Sequence, residues 1–220
     1  MKNLTTVFVI AGLLLYYPLF GQRYKLELSA EGGPSFGLVY GAGAKQLEKQ
    51  LPMIGFETGI GVRVHMPKVI GIYTGLFTER KGFVLGLNVV DAVGNAVTYK
   101  YNCEYHYVKI PLMINATLGK KVLFFVNAGG YVSALFRIHI YLKELGVDNV
   151  NPGGYQYVDA GICTGAGIKV PYKRWMFGLE GRNSTGFLKI IKNTEPRDAI
   201  FNTNTSVLLS VAYSFAQWKK

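Results

Sequence analysis

Eight segments of this chain alternate apolar and polar side chains with a period of two, and the links joining them alternate between short and long. A period of two belongs to strands that show one face to each of two environments. The short links centre on 66–69, 119–121 and 171–174, and the longer ones run near 40–53, 84–99, 138–156 and 189–202. A soluble sandwich has no reason to sort its links by length. An antiparallel barrel crossing a membrane does, with short turns on one side and longer loops on the other. The pattern predicts an all-β fold, an eight-stranded antiparallel up-and-down transmembrane β-barrel.

The faces can be read directly. Ile54, Phe56, Ile60, Val62 and Val64 oppose Glu57, Gly59, Gly61, Arg63 and His65. In the next segment Ile70, Ile72, Thr74 and Leu76 oppose Tyr73, Phe77, Glu79 and Lys81. Val108, Ile110, Leu112 and Ile114 oppose Lys109, Pro111, Met113 and Asn115. Pro111 has no N–H to donate to a ladder, so a bulge or distortion is expected there. The uncharged run from Val122 to Phe136 contains Asn127 and Gly129-Gly130, and is too short and too broken for a spanning helix. Spanning must therefore be done by a closed sheet, because an open edge in lipid leaves backbone groups unpaired.

Residues 1–21 read as a secretory signal peptide: Lys2 is followed by an uncharged run from Leu4 to Phe20, with a cleavage point at Gly21–Gln22. Pro18 and the limited length argue against a retained anchor. There is no cysteine near the cleavage point, which argues against a lipoprotein. Residues 22–220 are then one outer-membrane barrel domain, without repeat or low-complexity tract.

The formal charge of +11 first suggests nucleic acid. Export, and the lack of any basic run longer than two residues, exclude that class. Outer-membrane lipid, lipopolysaccharide phosphates, and a protein partner at the loops or rims are the expected contacts. A periplasmic excess of charge with no specific partner is the bland alternative. Cys103 and Cys163 are the only cysteines, in strands that are not sequence neighbours, and whether they pair is left open.

Strand parity sends six acids to the interior, Glu27, Glu31, Glu57, Glu79, Asp159 and Glu180, with the bases Lys25, Arg63, Lys81, Lys109, Arg137, Lys169 and Arg182. An eight-stranded barrel is just wide enough to be filled by side chains. A structural ion-pair core is one reading of these residues and a narrow gated conduit the other. Catalysis finds little support. Ser133 with His106, or a rim histidine with an acid, can be written down, but no nucleophile or metalloprotease motif accompanies His65, His106 or His139. Neither a cofactor nor a metal site is expected.

Several segments resemble the PorT-like family of outer-membrane β-barrel proteins. Tyr73 to Gly82 is similar to the family's third strand, and Tyr107-Val108-Lys109-Ile110-Pro111-Leu112 to its aromatic-x-x-Ile-Pro-Leu strand. Asn127 to Tyr131 and Asp159 to Gly167 match its fifth and sixth strands in style. Lys109, where the family often has an acid, and the ending Trp218-Lys219-Lys220 depart from the pattern. The resemblance implies a Gram-negative outer-membrane barrel and carries little chemistry. With no catalytic motif and a lumen that looks full, the expected role is non-enzymatic, structural or interactive through the outer loops. A small porin, or an accessory of a protein-secretion system, are the alternatives.

Overall fold

The computed structural model describes residues 25–47, 50–66, 69–90, 96–142, 146–150, 153–192 and 195–215, so the segment read as a signal peptide lies outside it. Nine strands follow in chain order: β1 (Lys25–Tyr40), β2 (Gln50–His65), β3 (Ile70–Val90), β4 (Ala96–Gly119), β5 (Leu123–Leu142), β6 (Val147–Val150), β7 (Val158–Tyr172), β8 (Trp175–Gly186) and β9 (Phe201–Ser214). Eight of them form the wall in the order β4-β3-β2-β1-β9-β8-β7-β5, and β4 pairs with β5 to close it. Every pairing in the wall is antiparallel. The short β6 adds only to the outer end of β5.

Tight links stand at one end. β4 reverses into β5 beyond Gly119, whose φ of 114° is open to glycine, and β7 reverses into β8 at Lys173, held at φ 57°. At the opposite end the links carry short 3-10 turns, Ala44–Gln46 and Pro196–Asp198, and β6.

Burial is inverted relative to a water-soluble protein. Ile54, Leu112, Ile114 and Leu209 are exposed on the outside, while Lys81, Lys109 and Arg182 are buried inside. A soluble barrel with an apolar pocket would show the opposite. Tyr172, Trp175, Tyr213 and Phe215 cluster at the short-turn end of the adjacent strands β7, β8 and β9, with Trp175 edge-on to Tyr213 at 5.3 Å. Tyr40, Phe136, Tyr157 and Phe187 stand exposed toward the other end. Aromatic side chains at both edges of an apolar band are what a barrel in a bilayer presents.

Two expectations need correction, and a third holds in a milder form. The link expected at 84–99 is mostly strand, and only 91–95 separates β3 from β4. Val84, Val89, Val90, Val97, Tyr99 and Tyr101 favour pleated backbone and outweigh the turn residues among them. At Pro111 the expected distortion is a gap and not a bulge: the β3–β4 ladder omits the pairs that Gly75 and Leu76 would make with Pro111 and Ile110, yet holds one register from Ile70↔Ala116 to Val90↔Ala96, and Thr74 Oγ1 donates to the Pro111 carbonyl at 2.7 Å. Register does shift between Pro52 and Glu57 of β2, and again on the β4–β5 ladder, where His106 faces Arg137 but Tyr107 faces Leu135. Phe136 is the extra residue, and parity slips by one beyond it. Arg137, expected in the lumen, is therefore exposed on the outer wall.

Candidate functional site

The interior is laid out by parity. From the short-turn end, inward positions bring Glu27 of β1, Arg63 and His65 of β2 and Lys169 of β7 together. Glu27 accepts from Arg63 Nη1 at 2.8 Å, lies 3.0 Å from His65 Nε2, and is paired with Lys169. The Arg63 guanidinium lies over the Tyr73 ring at 4.7 Å and faces Phe125 at 5.2 Å. Tyr73 links this basal group to the next tier.

That tier centres on Arg182. Its Nη2 donates to Glu31 Oε2 at 2.7 Å, to Glu180 Oε2 at 2.9 Å and to the Tyr73 hydroxyl at 3.0 Å, while Nη1 reaches Glu57 Oε1 at 3.2 Å. Lys109 continues the chain of charges, 2.9 Å from Glu57 and 2.6 Å from Glu79. Lys81 then joins Glu79 at 2.7 Å to Asp159 at 3.0 Å, and the Tyr131 hydroxyl also donates to Asp159 at 2.8 Å. Eleven of the twelve residues proposed as a lumen network meet here, and Arg137 does not. Lys25, the other base that parity sent inward, sits half-buried at the short-turn end.

Neutral side chains extend the network. Ser206 donates to Glu57 at 2.5 Å, Asn127 to Glu180 at 3.0 Å, and Ser29 to Glu31 at 2.7 Å. They share inward parity with the charges, and that was the available signal. Buried ions are tolerated only when paired and hydrogen-bonded in this way.

Above Lys81 and Lys109 the interior changes character. Phe83, Cys103, Tyr105, Tyr107, Leu135, Ile138 and Ile140 form one apolar cluster with Val39, Ala44 and Ile190. Leu47, Tyr155 and Ile200, from three different long links, pack against it. The lumen is thus an ion-paired plug beneath an apolar cap. The cap was legible as a switch of inward residues from charged to aromatic, but its loop members were not, because no period governs a loop.

The written catalytic pair is not assembled. Ser133 is buried inside, donating to the Asp159 carbonyl at 3.4 Å, whereas His106 is on the outer face beside Glu104 at 3.7 Å. Cys103 and Cys163 are both free and buried in separate clusters, Cys103 in the cap and Cys163 beside Tyr73, Phe77 and Met113. Among the described residues no group of three or more His, Cys, Asp or Glu side chains is placed to hold a metal.

A closed antiparallel sheet with lipid-compatible side chains outside, paired charges inside and aromatic rims defines an integral outer-membrane barrel protein. The chain belongs to the outer membrane protein beta-barrel domain family, whose profile matches residues 20–192. Solved structures with a similar outline include Ail, the attachment invasion locus protein of Yersinia pestis, at 12% identity over 85% of this chain and 98% of that one, TM-score 0.44. Neisserial surface protein A matches at 9% identity over 86% and 97%, TM-score 0.47. OprG from Pseudomonas aeruginosa matches at 9% over 89% and 98%, TM-score 0.44. No curated protein matches the sequence.

Proposed function

We propose that this protein is a non-enzymatic component of the outer membrane that works through its outer face and loops, not by passing solute. The observation that carries this reading is the filled lumen, in which five buried cations meet six buried carboxylates beneath an apolar cap. A solute would have to separate ion pairs in a medium where unpaired charge is costly. The outer face contacts membrane lipid, and lipopolysaccharide is the expected anionic partner because outward basic residues stand above the apolar band. Within the family, Tyr107 to Leu112 supports a PorT-like membership. Export with cleavage at Gly21–Gln22 belongs to the same reading.

Planar-bilayer recordings of refolded protein test it. The expected result is no stable, ion-selective step. Reproducible steps whose selectivity changes with Lys109→Gln would establish the porin reading instead.

A further inference from the structure

Five of the eight wall strands carry no charge on their outward positions: β1, β2, β7, β8 and β9 present only apolar, aromatic, glycine, proline or neutral polar residues there. The outward bases of the wall are confined to β3, β4 and β5. On β3 the outward band runs from Ile70 to Thr78 and ends at Arg80. On β4 it runs from Leu118 to Val108 and ends at His106. On β5 it runs from Phe124 to Ala134, followed by Phe136 and then Arg137. Each band is about 9–11 residues long, the span of a tilted strand through the hydrocarbon. Arg80 faces His106 across one ladder and His106 faces Arg137 across the next. The three therefore form a row at the lipid–water boundary, completed by the bulge at Phe136 that turns Arg137 outward.

A groove of about 340 Å³ adjoins this row, lined by Leu51, Ile54, Arg80, Lys100, Glu104 and Tyr141 among others. Its wall is amphipathic, since Leu51 and Ile54 are 46% and 66% exposed. Glu104 is the one outward acid of the wall strands. It is engaged by Arg80 at 3.5 Å, His106 at 3.7 Å and the Tyr141 hydroxyl at 3.0 Å. Arg137 and Lys100 have no carboxylate within ion-pair distance among the described residues, so the patch keeps a positive balance. Burial holds the His106 imidazole below its usual value, with Arg80, Arg137 and His139 acting the same way and Glu104 opposing. At neutral pH the charge therefore comes from the two arginines and the lysine.

We propose that the Arg80–His106–Arg137 row is a docking site for the phosphate of an outer-leaflet glycolipid, with the sugar head in the groove toward Lys100. The acyl chains lie on the band beneath, over Leu76, Ile110 and Val132. Guanidinium forks match phosphate oxygens in pairs, and at a membrane boundary they work beside a surface that is already anionic. This site rests on the reading of the chain as a lipid-embedded barrel, and names one partner for its outer face.

Full-length protein, refolded into phosphatidylcholine nanodiscs, would be titrated with fluorescent diphosphorylated lipid A, with its dephosphorylated form, and with inorganic pyrophosphate. Wild type should prefer the phosphorylated lipid. Arg80→Gln with Arg137→Gln should weaken that binding by about tenfold or more, as expected for two boundary cations. Arg137→Lys should keep most of it, and Lys121→Gln in the opposite turn should change nothing. Folding of each variant is read from its heat-dependent gel mobility. Equal binding of the dephosphorylated lipid, or full binding by the folded double variant, overturns the site alone. Pyrophosphate competing as well as the lipid assigns the row to soluble anions and also overturns it. Failure of wild type to enter the bilayer overturns the barrel reading and the site with it.

Discussion

Arg182 donates to Glu31 across the barrel interior at 2.7 Å, joining residues 151 apart in sequence and strands that are not neighbours in the wall. The same guanidinium serves Glu57 and Glu180. Wall ladders fix only adjacent strands, so this side chain ties β8 to β1 and β2 through the core. Arg182→Met keeps the bulk but leaves three carboxylates short of a cation. A loss of about 3–5 kcal/mol is expected, the range for breaking one side of a buried ion network. Urea unfolding followed by tryptophan fluorescence measures it. Adding Glu180→Gln should restore part of the loss, because one uncompensated charge goes with it. A single variant as stable as wild type would show that the network does not hold the barrel.

The wall is tightest where glycines let backbones approach. A Cβ placed on Gly33 would overlap the Val207 carbonyl oxygen of β9, while one placed on Gly153 in the long link meets nothing within 4 Å. Gly33→Ala must therefore displace a neighbouring backbone. It should cost more than about 4 kcal/mol, the level reserved for a few defined defects. Gly153→Ala should stay within about 0.5 kcal/mol of wild type. The yield of heat-modifiable protein after refolding separates the two, and equal yields would contradict the register of β1.

A charge on the outer band tests which side of the wall meets lipid. Ile60 of β2 is 56% exposed and lies midway along the apolar band between Val64 and Ile54. Ile60→Arg should destabilise the protein by about 2–4 kcal/mol in a bilayer, the cost of a cation near the midplane of a barrel wall. In water the same change would be near neutral. A folding titration in lipid vesicles that leaves Ile60→Arg unaffected would place this face against solvent.

The sequence made some of this legible and not the rest, for physical reasons. Alternation read the inward side of Glu27, Glu57, Glu79 and Lys109 correctly, because a strand with one face in lipid cannot slip by one residue without inverting both faces. The same rule failed at Arg137, where the one-residue insertion at Phe136 reverses parity and leaves no mark in the hydrophobic pattern. Turn residues misled at 84–99, since Asn, Asp and Gly signal a reversal but do not place it along a long hairpin. The pairing of Arg182 with Glu31 was beyond reach. Parity says which residues share the lumen, whereas the closure of the sheet decides which of them meet. The apolar cap was half visible, in Phe83, Tyr105 and Leu135, and half hidden in Ala44 and Ile190.

Cys103 offers a direct reading of that cap. It lies above the membrane-facing band, among Phe83, Tyr105 and Ile140, and burial pushes its thiol up to about 12. The thiolate is the reactive form, so a thiol reagent should leave Cys103 unmodified at pH 8, and raising the pH to 9 should add little. The sign for stability follows from the same shift. The folded thiol is harder to ionise than the unfolded one, whose ordinary value is about 8.5. The contribution is therefore complete below that value and falls as pH rises from there toward 12. Cys163 is also free and buried, so the folded protein should show no reagent-accessible thiol, and urea should release two. Mass spectrometry after labelling gives the count. A label on Cys103 of the folded protein at pH 8 would mean that the cap opens readily. No label even in urea without reductant would mean that the two cysteines are bonded.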